Sequence, residues 1–209
     1  MRYKRLLTVS YYDSVPNAGR GPFPEVNHPS QLAAMKYVKM PATLLDVGCG
    51  TGITYEAIKN AGLNIKYKGV DNHQPYITWC KKKFPEAKWD VQDANYLKEE
   101  DKSWDVIYSR GVIENLPSFK GVIEEWMRVA RKLIILWFWK GLRADGDHYI
   151  HRFVYQGTLY PEFQNHYSRE KILEELKDYP GWKVLKLSTR SPKGVKVGYH
   201  LLVLGHETD

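Results

Sequence analysis

Hydrophobic and polar positions follow two alternating periods along this chain from about residue 43 onward. Short apolar runs bounded by turn residues predict buried strands. Longer segments with apolar residues three and four positions apart predict helices that cover a sheet. The expected strands are 43–47, 66–70, 87–91, 104–108 and 132–139, and the expected helices are 30–39, 53–61, 74–83 and 120–131. Strands that alternate with helices are typical of a parallel sheet with helices on both faces.

The pattern changes after residue 139. Residues 140–167 are rich in Gly, Asp, His and Tyr without a helical period, so we expect a lid or hairpin inserted there. Ser168 is a candidate N-cap for a helix that ends near residue 178. Two strands follow, at 182–188 and 196–204, and the short loop between them predicts an antiparallel pair.

Length and composition predict one folded domain over residues 1–209, with an N-terminal cap and helix in 1–42. The chain has no apolar run of about 18 residues, no visible secretory leader and two cysteines that give no disulfide framework. These features predict a cytoplasmic protein without a membrane span. The net charge of +7 comes from scattered residues and indicates a solvated surface, with an anionic partner as the alternative.

A glycine-rich turn follows the first predicted strand. This strand carries the acid Asp46 and leads into Gly48, Gly50 and Gly52. Glycine takes backbone conformations that other residues avoid and lets a ligand approach the main chain closely. The turn lies at the carboxyl end of a strand, where open α/β sheets bind ligands. The spacing departs from the Gly-x-Gly-x-x-Gly of dinucleotide folds because Ile53 replaces the last glycine, which disfavours a nicotinamide oxidoreductase.

This turn resembles the first motif of the class I S-adenosylmethionine-dependent methyltransferases, in their small-molecule branch of type 11/25-like enzymes. Three further motifs of the family occur in its order, after the second, third and fourth strands. They are Gly69-Val70-Asp71-Asn72, Asp90-Val91-Gln92-Asp93-Ala94, and the fourth strand with the turn after it, Trp104 to Pro117, which ends in Val112-Ile113-Glu114-Asn115-Leu116-Pro117. The resemblance implies an α/β fold: a Rossmann-like, doubly wound, mostly parallel seven-stranded sheet of order 3-2-1-4-5-7-6 with an antiparallel last strand.

The resemblance also implies S-adenosylmethionine as the cofactor. Main-chain N–H groups at the turn can meet its carboxylate, and Asp71 is placed to accept hydrogen bonds from both ribose hydroxyls. Asp93 and Ala94 are expected at the adenine, and residues 109–112 along the methionine and adenine side. The candidate cofactor-binding residues are Asp46, Gly48, Cys49, Gly50, Gly52, Asp71, Asn72, Gln92, Asp93, Ala94, Ser109 and Arg110.

Histidines in the insertion are the candidate catalytic groups. His148, His151 and His166 stand among aromatic residues, in a segment that often covers the substrate in this family. A histidine can take the proton of a hydroxyl nucleophile, and an aromatic-lined pocket suits an organic acceptor. The spacing of acids and histidines here fits no metal-ligand pattern, so no metal is predicted. Glu114 is interpreted as stabilising its turn, and Asn115 stands where much of the branch has histidine.

The leading hypothesis is methyl transfer to an oxygen or nitrogen of a small or medium organic acceptor. A nucleic-acid methyltransferase acting on RNA is an alternative that the positive charge favours. Residues 109–112 lack the Asp/Asn-Pro-Pro-aromatic turn that holds a flipped base. Cys49 lies in the cofactor turn and Cys80 is expected far from it, so neither suits cytosine-ring methylation. A third hypothesis is an adaptor that binds S-adenosylmethionine without catalysis.

Overall fold

The computed structural model describes residues 32–138, 142–143, 150–155, 158–163, 165–188 and 200–207. Its strands are β1 (Ala42–Val47), β2 (Ile65–Asp71), β3 (Lys88–Val91), β4 (Trp104–Arg110), β5 (Ala130–Phe138), β6 (Leu142–Arg143), β7 (Ile150–Tyr155), β8 (Thr158–Phe163), β9 (Tyr167–Ser168), β10 (Trp182–Leu187) and β11 (His200–His206). Its helices are α1 (Ile53–Asn60), α2 (Gln74–Lys83), α3 (Phe119–Val129) and α4 (Arg169–Leu176), with 3-10 turns at Met35–Tyr37 and Ile113–Asn115. None of the described helices has the length and apolar character needed to cross a bilayer.

Seven strands form one sheet in the order β3-β2-β1-β4-β5-β11-β10. Strands β1 to β5 are parallel, β11 is antiparallel to β5, and β10 is antiparallel to β11. When the seven strands of this sheet are numbered 1 to 7 in chain order, their spatial order is 3-2-1-4-5-7-6. The predicted fold class is therefore confirmed. Because β1 lies between β2 and β4, its carboxyl end falls where the chain order reverses, which is where such sheets bind ligands.

Some predicted element boundaries differ from the structure. The helix predicted at 120–131 ends at Val129, and β5 begins at the next residue, two positions before its predicted start. The described part of the helix predicted at 30–39 tightens after residue 33 into the 3-10 turn Met35–Tyr37, whose C-cap N–H donates to the Met35 carbonyl at 3.0 Å. The N-cap predicted at Ser168 is confirmed, because its Oγ accepts a hydrogen bond from the Lys171 N–H at 3.1 Å.

Hydrophobic layers cover both faces of the sheet. Side chains alternate along each strand, so Val106 and Tyr108 of β4 enter one layer while Ile107 enters the other. The first layer includes Leu44, Ile58, Tyr67, Ile77, Cys80, Trp89 and Trp137. The second includes Leu45, Ile123, Trp126, Ile134, Phe138, Ile172 and Leu202. Full burial of a large apolar side chain contributes about 1.5–3 kcal/mol, so the sheet is a stable base for the loops at its carboxyl edge.

The inserted segment contains further strands. Strands β7 and β8 form an antiparallel hairpin, and β6 pairs with β9. The main-chain N–H of Asn165 donates to the Glu114 carbonyl at 2.7 Å, which ties the end of this segment to the turn after β4. The role of residues 140–167 as a lid and the single-domain organisation of residues 1–209 stay predictions, and residues 1–31 lie outside the described part of the chain.

Candidate active site

The turn between β1 and α1 is a main-chain cradle. Gly48, Gly50 and Gly52 have φ angles of 74°, 54° and 78°, in the left-handed region that favours glycine. The N–H of Gly48 donates to the Val70 carbonyl at 2.8 Å, which anchors the cradle to β2. A Cβ atom added to Gly48 would lie 2.2 Å from Val112 Cγ2. Both the backbone angle and the close packing therefore require glycine at position 48.

Asp71, at the end of β2, joins this cradle to the next helix. One of its carboxylate oxygens accepts a hydrogen bond from the Gly50 N–H at 2.9 Å, and the other accepts from the His73 N–H at 2.9 Å. Each oxygen of a carboxylate can accept two hydrogen bonds, and the two main-chain donors fix the plane of the group. The N-cap residue of α2 is His73 rather than Asp71.

Asp46 lies buried in the strand that leads into the cradle. The Tyr67 hydroxyl donates a hydrogen bond to Asp46 Oδ2 at 2.6 Å. Burial raises the pKa of Asp46 from 3.8 to about 7, Asp71 adds to the rise, and hydrogen bonds from Tyr67 and Thr54 and the charge of Arg110 oppose it. At neutral pH this carboxyl is therefore divided between its protonated and ionised forms.

The two cysteines meet at the cradle. Cys80 Sγ lies 3.4 Å and Cys49 Sγ 3.8 Å from the Gly50 carbonyl oxygen, and both cysteines are buried. The prediction that Cys80 lies far from the turn is wrong, because α2 packs against β2 and its buried face carries this thiol to the glycines. Burial raises the pKa of the Cys49 thiol, and a neutral thiol is a poor nucleophile.

The loop after β3 carries the residues expected at the adenine. Asp93 is exposed, and its Oδ1 accepts a hydrogen bond from the N–H two residues further on at 2.9 Å. Ala94 is half-buried, and Asn72 in the loop after β2 is exposed. Gln92 is buried, and its side-chain amide donates to Glu99 at 2.9 Å. The amide of Gln92 is thus bonded inside the protein, whereas Asp93 and Asn72 reach the surface.

The end of β4 lies beside the cradle. Ser109 is buried, and its hydroxyl donates to the Val47 carbonyl at 2.8 Å, so this side chain is bonded within the sheet. Arg110 is half-buried and stands in register with Trp137 of β5. The Gly111 N–H donates to the Trp137 carbonyl at 2.9 Å. Arg110 and Trp137 are therefore neighbours at the carboxyl edge of the sheet.

The structure describes the three predicted catalytic histidines to different extents. His166 is half-buried and lies directly between the buried residues Asn165 and Tyr167. His151 has its main chain in β7, and His148 lies outside the described residues. Across the part of the chain that the structure describes, there is no group of three or more His, Cys, Asp or Glu that could hold a metal ion.

Hydrogen bonds from Asn165 and Tyr167, which we call the clasp, hold the turn after β4. The sequence motifs do not predict them. The side-chain amide of Asn165 donates to the Leu116 carbonyl at 2.5 Å and to the Tyr167 hydroxyl at 3.0 Å. The Tyr167 hydroxyl donates in turn to the Ile113 carbonyl at 3.2 Å. Glu114 is 1% exposed between these contacts, which fits its interpretation as a residue that stabilises the turn.

Part of this chain is similar in sequence to methyltransferases. Residues 45–138 match the profile of a family described as a methyltransferase domain. The trans-aconitate 2-methyltransferase of Variovorax paradoxus is 26% identical over 100 residues, which are 47% of this chain and 39% of that protein. The matched part therefore spans about two fifths of the length of this curated relative.

Solved structures share the fold at low sequence identity. An S-adenosylmethionine-dependent methyltransferase from Methanosarcina mazei superposes with a TM-score of 0.68 at 15% identity, over 83% of this chain and 96% of that one. The 1,6-didemethyltoxoflavin-N1-methyltransferase of Burkholderia thailandensis superposes with a TM-score of 0.62 at 13% identity, over 85% of this chain and 76% of that one.

The sheet order, the glycine cradle and the carboxylate at the end of β2 define the class of Rossmann-like proteins that hold a nucleoside-bearing ligand. Within that class, residues 45–138 are similar to a methyltransferase domain, and the sequence motifs imply S-adenosylmethionine as the ligand. The residues at the cradle fit such a ligand. The cradle has no room for a side chain at position 48, and the buried Thr51 hydroxyl beside it has no hydrogen-bond partner among the described residues.

Proposed function

We propose that this chain transfers a methyl group from S-adenosylmethionine to an oxygen or nitrogen of a small or medium organic acceptor. When bound, the cofactor supplies an electrophilic methyl group on a positively charged sulfur. The observation that carries the proposal is the contact between Asp71 and Gly50, because it places an acid on the neighbouring strand against the open glycine turn.

The cofactor-binding roles follow from what each residue presents. The N–H groups at the cradle and at the start of α1 meet the carboxylate of the methionine part, since helix N-termini favour anions. Asp71, held in plane by two main-chain donors, accepts hydrogen bonds from the ribose hydroxyls. Exposed Asp93 and half-buried Ala94 meet the adenine. Asp46, Ser109 and Gln92 are buried and support the main chain of the site.

The acceptor side is built by the turn after β4 and by the inserted segment. The Asn165–Tyr167 clasp holds the two together and places His166 between its members. His166, with His151 and His148 as the other candidates, takes the proton of the acceptor nucleophile. Positioning of that nucleophile contributes much of the rate, because methyl transfer requires it in line with the departing sulfur.

Two observations support a small acceptor rather than RNA. The relative named above is a trans-aconitate methyltransferase, and a solved neighbour is named for a methyl transfer to 1,6-didemethyltoxoflavin.

Calorimetric titration with S-adenosylhomocysteine, followed by a product assay over a panel of organic acceptors, tests the proposal. The variant Asp71→Asn should weaken binding about 10- to 100-fold, because a hydrogen bond to a charged group contributes about 1.5–3 kcal/mol. Asp178→Asn is the matched control, since that exposed carboxylate pairs with Lys120 far along the chain from the cradle.

The possible outcomes separate the three hypotheses. Unchanged affinity in Asp71→Asn would refute the proposed ribose contact. Binding without turnover of any acceptor would favour the adaptor. Tight RNA binding that weakens steeply with salt would favour the nucleic-acid enzyme.

A further inference from the structure

Residues 93–97, in the loop after β3, form a tight turn with hydrogen bonds of its own. The Tyr96 N–H donates to the Asp93 carbonyl at 3.0 Å. Asp93 Oδ1 accepts from the Asn95 N–H at 2.9 Å and from the Asn95 side-chain amide at 2.7 Å. Aspartate side chains commonly bond the main chain two residues further on in this way. Because the carboxylate is bonded to its own turn, the orientation of the turn sets the direction of Asp93.

Helix α3 holds the main chain of this turn. The Trp126 indole N–H donates to the Ala94 carbonyl at 3.0 Å. Glu125 Oε1 accepts from the Leu97 N–H at 2.7 Å, and Arg128 Nη2 donates to the Leu97 carbonyl at 3.1 Å. The middle and the end of the turn are thus bonded to side chains that follow them by 28 to 32 positions in the chain.

The side chains of α3 that hold the turn are themselves fixed in place. Trp126 is 0% exposed in the second hydrophobic layer, which also contains Leu97. Arg128 Nη2 donates to Glu125 Oε1 at 2.8 Å, and Arg128 Nη1 donates to the Glu99 carbonyl at 2.9 Å. Burial favours the neutral form of Glu125, but the hydrogen bonds from Arg128 and from the Leu97 N–H lower its pKa. Glu125 is therefore ionised at neutral pH and is a strong acceptor.

The start of the turn is attached to the strand that carries the proposed ribose acid. The Gln92 N–H donates to the Asp71 carbonyl at 3.1 Å. Residues 93–97 therefore leave the sheet directly beside Asp71, and their orientation beyond this attachment depends on the contacts with α3. A phenylalanine at position 126 would also fill the hydrophobic layer, so packing alone does not account for an indole N–H that bonds to this loop.

Resting on the proposed function, we infer that Trp126 and Glu125 are positioning residues for adenine recognition, which orient the turn so that the Asp93 carboxylate meets the 6-amino group of the cofactor. Neither side chain contacts the cofactor in this arrangement. Asp93 is exposed, and ordering an exposed loop at the moment of binding costs affinity. The contacts with α3 order the loop beforehand, so they set how strongly the protein prefers a nucleoside that has the 6-amino group.

The experiment measures the Kd of the full chain for two ligands by calorimetric titration. One is S-adenosylhomocysteine, and the other is its analogue with a hydrogen atom in place of the 6-amino group. The ratio of the two Kd values reports the contact with the amino group, because a loss of affinity that affects both ligands alike cancels in it.

The variants remove one contact at a time. Trp126→Phe keeps an aromatic ring and removes the indole N–H. Glu125→Ala removes the acceptor of the Leu97 N–H, whereas Glu125→Gln keeps a side-chain oxygen for it. Tyr179→Phe is the matched control, because it removes a 2.6 Å hydrogen bond to Glu124 of the same helix and none of the contacts with the turn.

We expect the wild type to bind S-adenosylhomocysteine about 10- to 100-fold more tightly than the analogue, the factor typical of a hydrogen bond to a charged group. Trp126→Phe and Glu125→Ala should lower this ratio at least about threefold by weakening the binding of S-adenosylhomocysteine, while the Kd for the analogue stays within about twofold. Glu125→Gln should keep more of the ratio than Glu125→Ala, and Tyr179→Phe should keep all of it. Hydrogen exchange at residues 93–97 should become faster in Trp126→Phe while β1 and β4 stay protected.

Two results would overturn the inference and leave the proposed function standing. One is a wild-type ratio in both Trp126→Phe and Glu125→Ala. The other is a loss of affinity for both ligands in the same proportion, which is what a purely structural role predicts. A wild type that binds S-adenosylhomocysteine without preferring it to the analogue would also refute the inference, because Asp93 would then not meet the amino group.

Failure of the wild type to bind either ligand would refute the proposed function, and the inference with it. The measurement involves no methyl transfer, so a result on the acceptor does not affect it. A melting curve of each free variant identifies loss of folding. If Trp126→Phe does not fold, the comparison of Glu125→Ala with Glu125→Gln decides.

Discussion

The Tyr67 hydroxyl donates a 2.6 Å hydrogen bond to the carboxylate of Asp46, and both side chains lie in the sheet layer that leads to the glycine turn. Asp46 keeps a raised pKa, about 7, despite this donor, because burial is the largest influence on it. A carboxyl group that binds its proton more tightly in the folded than in the unfolded protein makes stability depend on pH.

The first prediction concerns that dependence. Between about pH 4 and 7 the folded protein holds a proton on Asp46 that the unfolded chain releases, so the free energy of unfolding should fall as the pH rises. Asp46→Asn should reduce this slope by up to about 1.4 kcal/mol per pH unit. Urea unfolding across this range measures it. Asp178→Asn, at an exposed position, should keep the wild-type slope, and an unchanged slope in Asp46→Asn would contradict the assignment.

The second prediction compares two glycines with similar backbone angles. Gly48 and Gly62 have φ of 74° and 63°, but an added Cβ would meet Val112 at 2.2 Å in the first case and nothing within 4 Å in the second. Gly62→Ala should cost about 1–2 kcal/mol, the strain of a left-handed residue. Gly48→Ala should cost more and also weaken S-adenosylhomocysteine binding.

A double variant identifies the cause of that extra cost. Val112→Ala should recover part of the stability lost in Gly48→Ala, because it removes the atoms that the new methyl group would meet. Thermal unfolding of the single and double variants measures the coupling. If the losses simply add, the packing explanation is wrong.

The third prediction concerns the clasp. Asn165→Ala leaves the Leu116 carbonyl without its donor and should lower the free energy of unfolding by about 1–3 kcal/mol. We expect the KM for the acceptor to rise while the Kd for S-adenosylhomocysteine stays constant, since the clasp's hydrogen bonds given above end at Ile113, Leu116 and Tyr167 rather than at the glycine turn. Asn60→Ala, at the exposed end of α1, is the control. If Asn165→Ala changed the Kd for S-adenosylhomocysteine and left the KM for the acceptor unchanged, the clasp would not act on the acceptor side.

The fourth prediction concerns the acid–base group. His166→Ala should lower kcat by about 100-fold or more if His166 takes the acceptor proton, and the acidic limb of the pH–rate profile should disappear. His206→Gln, on β11, should keep both rate and profile. Full turnover in His148→Ala, His151→Ala and His166→Ala alike would exclude all three histidines as the base.

The glycine turn could be predicted because its signal is local, and the sheet order because four contiguous motifs carry the resemblance to the methyltransferase family that implies it. The position of Cys80 could not, because it depends on how tightly α2 packs on β2, across 30 residues from Gly50. The clasp joins Asn165 to Leu116 across 49 residues and has no local signal. Tyr108 and Trp137 lie on one face of the sheet because side chains alternate along each strand with a period of two. The pairing of Arg110 with Trp137, in contrast, depends on a register shift between β4 and β5 near the start of β4.

Helix α3 gives way to β5 without a linking residue, Val129 ending one and Ala130 starting the other. An insertion of one amino acid at this junction has no loop to absorb it. It would turn over every side chain of β5, and Trp137 would exchange layers with its neighbour Phe138. Length variation among homologous proteins should therefore be confined to segments other than this junction.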